Sequence, residues 1–502
     1  MTSLWLDRAR LVSTTQDVRA WGDRRHYDTV VVGAGLTGLT TALLLARSGR
    51  TVAVVEARTA GAVTTGNTTG KVSLLQGTRL SAIARRHSRH ILRSYVQGNL
   101  EGQQWLLRYC AERGVSFDVE PAVTFAQESS GADAVRAEYE ACRAADLPVR
   151  PATEIDLPVP STAAVVLEEQ AQLDPMPLLA AMADDLRTCG GDLFEHRRVT
   201  GVHRSGADGH RVVTADGDIE GTHVVLATGI PILDRGGFFA RLHPERSYAL
   251  AFAMPDGAPR GMYLSADQPT RSLRPADDRR VLLVGGNGHI VGRKDSPRTA
   301  VDDLIDWTHR YFPGAELTHR WAAQDYSSLD SLPYVGPLVP GREGILVATG
   351  YGKWGMTNAV AAGLLLSARI LGSRVRWGDA FQSWSLAQVF DVPPAVRING
   401  EVAVNMATGW IGTALGRDRH ADAQPSNTPS GRVVREGLHP VGVCTADGKS
   451  SRVSAVCPHL GGILRWNDAE ESWDCPLHGS RFAADGTVLE GPATHDLRRI
   501  EV

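Results

Sequence analysis

No apolar run in this chain approaches the roughly 18 residues of a membrane-spanning helix. The first 28 residues, MTSLWLDRARLVSTTQDVRAWGDRRHYD, lack the apolar core and small-residue cleavage site of a secretory signal, so a cytoplasmic protein is expected. Charge imbalance is missing as well. Lys plus Arg number 53 against 56 Asp plus Glu, with no long run of either sign, which excludes a nucleic-acid footprint and a polybasic membrane patch. The expected partners are small molecules and other proteins. Cysteine is scarce, at six, and Cys110, Cys142, Cys189 and Cys444 follow no spacing. They read as ordinary reduced thiols rather than a disulfide framework. Single cores stop growing near about 250–300 residues, so 502 residues imply two or three domains.

The other two cysteines are patterned. In CPHLGGILRWNDAEESWDCPLHGS, Cys457 and His459 are followed after fifteen residues by Cys475 and His478. Two Cys and two His suit a tetrahedral zinc ion. Zinc fingers, however, pair like with like, whereas here each loop supplies one of each. Mixed pairs suit a binuclear cluster in which one iron takes both thiolates and the other both imidazoles.

The front of the chain carries a different signal. In YDTVVVGAGLTGLTTALLLARSGRTVAVVEAR, a β-branched run is followed by Gly33, Gly35 and Gly38 as G-x-G-x-x-G. A helical pattern and a second strand ending in Glu56 come next. Gly33 permits the tight turn, Gly35 lets backbone amides reach a pyrophosphate at the helix N-terminus, and Gly38 lets helix and strand pack closely. Ala34, Leu36 and Thr37 belong to the same loop, and Glu56, with Ala57 and Arg58 beside it, is placed to accept from a ribose diol. Downstream, THVVLATG ends a buried-type strand at Ala227, Thr228 and Gly229, and resembles the second short signature of FAD-binding proteins. VLLVGGNGHIVG, residues 281–292, reads as strand and turn, so no separate nicotinamide domain is expected.

The order of TTGNTTGKVSLLQG, AQLDPMPLLAAM, SLDSLPYVGPL and GILVATGYGKWGMTNAVAAGLLLSARILG is similar to that of the D-amino-acid-oxidase-like (DAO, glycine-oxidase) flavoproteins, over about residues 28–372. That resemblance implies an α/β Rossmann-like FAD-binding domain with an inserted antiparallel-sheet substrate domain. The FAD-binding segments fall at about 28–80, 165–230 and 330–372, and the substrate segments at about 80–165 and 232–330, within residues 1–385. Gly350, Gly352, Lys353, Trp354, Gly355, Met356 and Thr357 would lie under the isoalloxazine, where a helix N-terminus favours the charge on reduced flavin. Thr69, Gly70 and Lys71 would approach from the other end, although Lys71 also reads as a plain surface cation, and Val199 is counted with the cofactor contacts. Neither flavin loop offers a His or Cys, so FAD is expected to be noncovalent. Arg246, Tyr248, His289, Tyr326, Lys353 and Trp354 are the candidates for lining the substrate pocket. Members of the family mostly oxidise a C–N bond, which implies an amine or amino-acid substrate.

After a polar, proline-bearing connector at 386–427, the residues 428–502 read as short strands between turns. CPHLGG, CPLHGSRF and EGPATHDL closely resemble an all-β Rieske [2Fe-2S] domain. The family's additional disulfide cysteines are replaced by Gly462 and Leu477. Ser480 matches a serine that donates to a bridging sulfide, but Phe482 stands where high-potential members often carry tyrosine. Fewer hydrogen bonds to sulfur imply a potential below that of respiratory Rieske centres. The whole chain resembles an FAD dehydrogenase whose cluster passes electrons singly to an external acceptor protein. A ferredoxin-fed flavin reductase or hydroxylase, and a non-catalytic redox sensor or carrier, are the alternative readings.

Overall fold

The computed structural model describes residues 1–12, 24–384, 400, 402–410, 430–437, 439–446 and 449–501. Most of the expected connector lies outside the described residues. No helix among the described residues is long and apolar enough to cross a membrane.

The first sheet has eight strands, and its main path runs Tyr334–Val339, Arg342–Thr349, Ile219–Leu226, His26–Val32, Val52–Val55, Asp192–Phe194. His26–Val32 is parallel to both of its neighbours. Val30, Val31 and Val32 are all buried, as an unbroken β-branched run should be when both faces of a parallel sheet are covered, here by helices on the Val31 side and by strands and loops on the side of Val30 and Val32. The helices Leu36–Arg47 and Gly355–Ile370 pack against each other so closely that a Cβ at Gly363 would stand 2.6 Å from Thr40 Cγ2.

The second sheet has nine strands and holds both inserted segments. It is antiparallel except where they meet, because Met262–Ser265 runs parallel to Asp118–Ala126. Val281–Ile290 is one of its inner strands, as the reading of 281–292 as strand and turn expects. The polar leader instead forms a helix, Leu4–Val12, with Trp5 buried and its Nε1 donating to the Thr68 carbonyl at 2.8 Å.

The C-terminal segment folds as a three-stranded antiparallel sheet, Ser430–Glu436, His439–Ala446 and Lys449–Ser454, and a four-stranded one spanning Arg465–Asn467 to Val488–Glu490. Its own core includes Leu464, Trp473 and Phe482. This unit is docked against the second sheet, and that contact shapes the site.

Candidate functional site

The glycine loop is built as its spacing requires. Gly33 has φ +106°, and a Cβ there would stand 2.5 Å from the Ala227 carbonyl oxygen. A Cβ at Gly38 would stand 1.9 Å from the Gly33 carbonyl oxygen. Gly38→Ala is therefore expected to push the first helix off its strand and abolish cofactor binding, measured as flavin per chain after purification. Gly35 is the N-cap of Leu36–Arg47 and offers no side chain, so the helix N-terminus opens into the adjoining cavity. Glu56 is half-buried, and desolvation raises its carboxyl even though Ala34 N–H (2.9 Å) and Arg58 N–H (2.8 Å) donate to it. Each oxygen keeps a lone pair for a further donor.

One cavity of about 590 Å³ runs from this loop to the second sheet. At its far end, residues 350–353 include three with positive φ, Gly350 (+81°), Gly352 (+55°) and Lys353 (+75°), before the helix Gly355–Ile370 begins. The wall opposite comes from the paired strands Leu242–Ala253 and Glu316–Ser328, where Glu245 and Asp325 stand directly across from each other. Two carboxylates on one face should not share the same proton affinity. Burial pushes the Asp325 carboxyl up to about 6, against the N–H groups of Tyr326 and Lys353 that donate to it. Burial also opposes ionisation of Glu245, but the Lys353 ammonium, 3.0 Å away, and hydrogen bonds from Lys353 and Ser327 outweigh it and hold that carboxyl down. Arg79 also lines the cavity, and among the described residues its buried Nε has no partner.

The four patterned Cys and His residues converge from two mirrored turns. Cys457 N–H donates to the Gly462 carbonyl and Gly461 N–H to the Cys457 carbonyl, while Cys475 N–H donates to Ser480 and Gly479 N–H returns to Cys475. The Cys457 and Cys475 thiols act on each other, and the His459 and His478 rings lie 5.1 Å apart, edge to face. No three His, Cys or carboxylate groups among the described residues gather as a single ion requires. His478 Nδ1 is buried without a hydrogen-bond partner, an arrangement that a bound metal relieves. The donor set therefore fits a cluster held by two sulfur and two nitrogen ligands. A Cβ at Gly462 would stand 2.7 Å from Leu477 Cδ1, so the two positions that lack disulfide cysteines do face each other. Phe482 is fully buried, opposite Trp473, and brings no hydroxyl to the cluster loops.

A family model described as FAD dependent oxidoreductase (DAO) matches residues 28–369, and a Rieske [2Fe-2S] domain model matches residues 420–501. The chain belongs to the FAD dependent oxidoreductase family and carries a C-terminal Rieske domain. It is similar over 483 residues, at 27% identity, to YhfW of Bacillus subtilis, which bears the name of a Rieske 2Fe-2S iron-sulfur protein; the match covers 95% of this chain and 93% of YhfW. Similarity to the glycine oxidase of Bacillus licheniformis is 25% over 409 residues, covering 72% of this chain and 98% of that enzyme. The crystal structure of glycine oxidase from Geobacillus kaustophilus shares the fold, with a TM-score of 0.59 at 20% identity over 70% of this chain and 96% of that one. This FAD dependent oxidoreductase thus uses FAD and a Rieske cluster.

Most of the expected cofactor residues meet in the one cavity. Gly33, Gly35, Leu36, Thr37, Glu56, Ala57 and Arg58 line it at one end. Thr69, Lys71, Val199 and Ala227 to Gly229 line its middle, and Gly350 and Gly352 to Met356 its far end. Gly38, Gly70 and Thr357 stand behind the wall, with Thr357 Oγ1 bonded to Asn99 at 2.6 Å. Lys71 is not a surface cation. Its Nζ is buried and donates to the Tyr263 carbonyl (2.7 Å) and Ser272 Oγ (2.8 Å), and burial, with Arg274 nearby, pulls the ammonium down to about 7.

Of the pocket candidates, Tyr248, Tyr326, Lys353 and Trp354 line the cavity, whereas Arg246 and His289 do not. Strand parity alone does not separate them, because Tyr248 and Tyr326 share the parity of Arg246 and Gln324 and still line the cavity. Glu245 and Ser247 face the cavity, so Arg246, between them, takes the opposite face along with its cross-strand partners His289 and Gln324. There Arg246 pairs with Glu470 and, at 3.0 Å, with Glu490 of the Rieske domain. His289 Nε2 lies 3.2 Å from the Tyr248 hydroxyl. Sequence reasoning missed Arg79, Glu245 and Asp325, although Asp325 lies within the HRWAAQDYSSLD stretch that it singled out.

The docked domain contributes to the cavity itself, since Leu489, Glu490, Gly491 and Thr494 form part of its wall. The oxidoreductase segment in turn covers the cluster loops. Asp234 Oδ1 lies 2.6 Å from His459 Nε2, and the Phe239 ring stands edge-on to both imidazoles.

Proposed function

We propose that this oxidoreductase oxidises the C–N bond of an amine or amino acid and passes the electrons one at a time to an external acceptor protein. Cys457, Cys475, His459 and His478 hold the cluster in this reading, and the cavity residues from Gly33 to Met356 hold FAD. Bound FAD supplies a two-electron acceptor and the cluster a one-electron carrier. The observation that carries the reading is the Glu245–Asp325 pair, two neighbouring carboxyls driven in opposite directions, which is how acid–base roles are assigned in an active site. The similarity to glycine oxidase supports an amino-acid substrate.

Asp325, the more basic of the two, takes the proton from the substrate ammonium, leaving a free amine whose carbon can give up hydride. Glu245, kept ionised, holds Lys353 in place across the cavity. Arg79 and Lys353 offer cations for a substrate carboxylate, Arg79 with a planar fork that suits one. The groups facing Asp325 are Glu245, Lys353, Arg79, Tyr326 and Tyr351.

Asp325 is protonated below about pH 6 and cannot then accept a proton, so kcat/KM should rise as pH increases through about 6. Asp325→Asn should remove that limb and lower the rate by about 10²–10⁴-fold. The fold should tolerate this change. A carboxyl raised by burial contributes stability at low pH that is lost as pH rises through about 6, so at neutral pH asparagine forfeits only one of the two backbone N–H bonds that the carboxyl accepts from Tyr326 and Lys353.

The direct test mixes the holoprotein anaerobically with pooled amines and amino acids. Bleaching of the flavin band, followed by the cluster band, is expected. Silence from every pool, with rapid reduction of both bands by a ferredoxin system, would reverse the direction of flow and favour the reductase reading.

A further inference from the structure

Electrons that leave FAD for the cluster must cross from the cavity to the docked domain, and the second sheet places two side chains in that gap. Tyr326 is buried in the cavity wall, and a Cβ added at Gly229 would stand 3.1 Å from its ring. Its hydroxyl lies 2.9 Å from Gln324 Nε2. The same nitrogen donates at 2.8 Å to the carbonyl of Gly479, the residue after His478. Gln324 is itself fully buried, so no water competes for the contact. Gly479 has φ +80°, and a Cβ there would stand 2.5 Å from Pro244 Cβ and 2.9 Å from Gln324 Nε2, so the loop touches the sheet with no room for a side chain.

We propose that Tyr326 and Gln324 form the bridge that carries single electrons between the FAD cavity and the Rieske cluster. The bridge rests on the outward reading above for its direction. In each crossing one electron leaves reduced flavin and converts one ferric ion of the cluster to ferrous. The external acceptor protein takes that electron, a second crossing follows, and the flavin releases one proton to water. No bond in Tyr326 or Gln324 forms or breaks. Their contribution is electronic contact, because two hydrogen bonds replace two through-space gaps. Latching of the domain by Arg246, Glu470 and Glu490 keeps the contact closed rather than intermittent.

The contact is tested on the holoprotein without any substrate. A laser flash on 5-deazariboflavin with EDTA, under anaerobic conditions, injects one electron, and its redistribution is followed at the flavin and cluster bands. Tyr326→Phe keeps the ring and loses the hydroxyl, while Gln324→Leu keeps the volume and loses both hydrogen bonds. Both should slow redistribution by at least an order of magnitude, with flavin content and the cluster's EPR spectrum unchanged. An unchanged rate in both variants overturns the bridge. So does slowing confined to Ser480→Ala, which would shift the path to the contact from Ala493 N–H to Ser480 Oγ (3.0 Å) and on to Cys457. Amines play no part in this measurement, so failure of the bridge leaves the substrate reading standing, and failure of every amine pool leaves the bridge standing.

Discussion

Arg246→Met should cost the docked protein about 3–5 kcal/mol and free the Rieske domain from the second sheet. Arg246 is buried and holds Glu470 through two hydrogen bonds and Glu490 through a third. Arg481 shares both acids and also holds Asp474 at 3.0 Å. Two arginines thus balance three buried carboxylates, and removing one leaves three acids facing a single cation. Water cannot screen them, which is why loss of one partner costs far more here than at a surface pair. Urea unfolding followed by the cluster band, together with proteolysis in the connector, would read the effect. Burial of Glu470 opposes its ionisation, yet the two arginines hold it down to about 2. Its contribution is therefore fully present above the ordinary glutamate range and is lost as pH falls toward about 2. In the variant that acid limb should move upward. A variant as stable as the parent, with an unchanged limb, would mean that the charges do not hold the domains together.

Cys475→Ser should yield protein without iron–sulfur absorbance or the cluster's EPR signal. A serine oxygen is a hard ligand that does not replace the soft thiolate the cluster needs. FAD should remain bound, because the glycine loop, Glu56 and residues 350–357 lie outside the Rieske domain. It should nevertheless dissociate faster. Metal binding supplies folding free energy to small domains, and this one carries Leu489 to Thr494 into the cavity wall. Iron and flavin per chain, with the rate of flavin release, are the measurements. An intact cluster would remove Cys475 from the ligand set, and complete loss of FAD together with iron would show that the two sites cannot be separated.

The glycine loop, the second strand ending at Glu56 and the two Cys–His loops were legible in the sequence because each is local. A turn, a helix N-terminus or a four-residue metal loop places its groups within a few residues of one another. The pocket was less legible. Arg246 was expected in it and lies on the opposite face, whereas Glu245, one residue earlier, is in it. The pairing of Glu245 with Asp325, and of Arg246 with Gln324, sets those two pairs on opposite faces, and a shift of one position would exchange them. Arg79 was missed for a similar reason. It opens a short helix, Arg79–Ala84, and only the approach of Gly352, whose Cβ would stand 2.3 Å from its Nη1, brings it to the flavin end.

The sequence by itself determined the cofactors and the family, since FAD and cluster binding depend on short segments with fixed internal geometry. The tertiary structure decided the facing of Glu245 and Asp325 in the pocket, the burial of Lys71 and the docking of the Rieske domain. Those depend on strand register and on the desolvation of charges from segments some 80 to 245 residues apart, as with Glu245 and Asp325 or Arg246 and Glu490. A carboxyl rises to about 6, and an arginine comes to hold two acids of another domain, only when the fold removes water and supplies the neighbour.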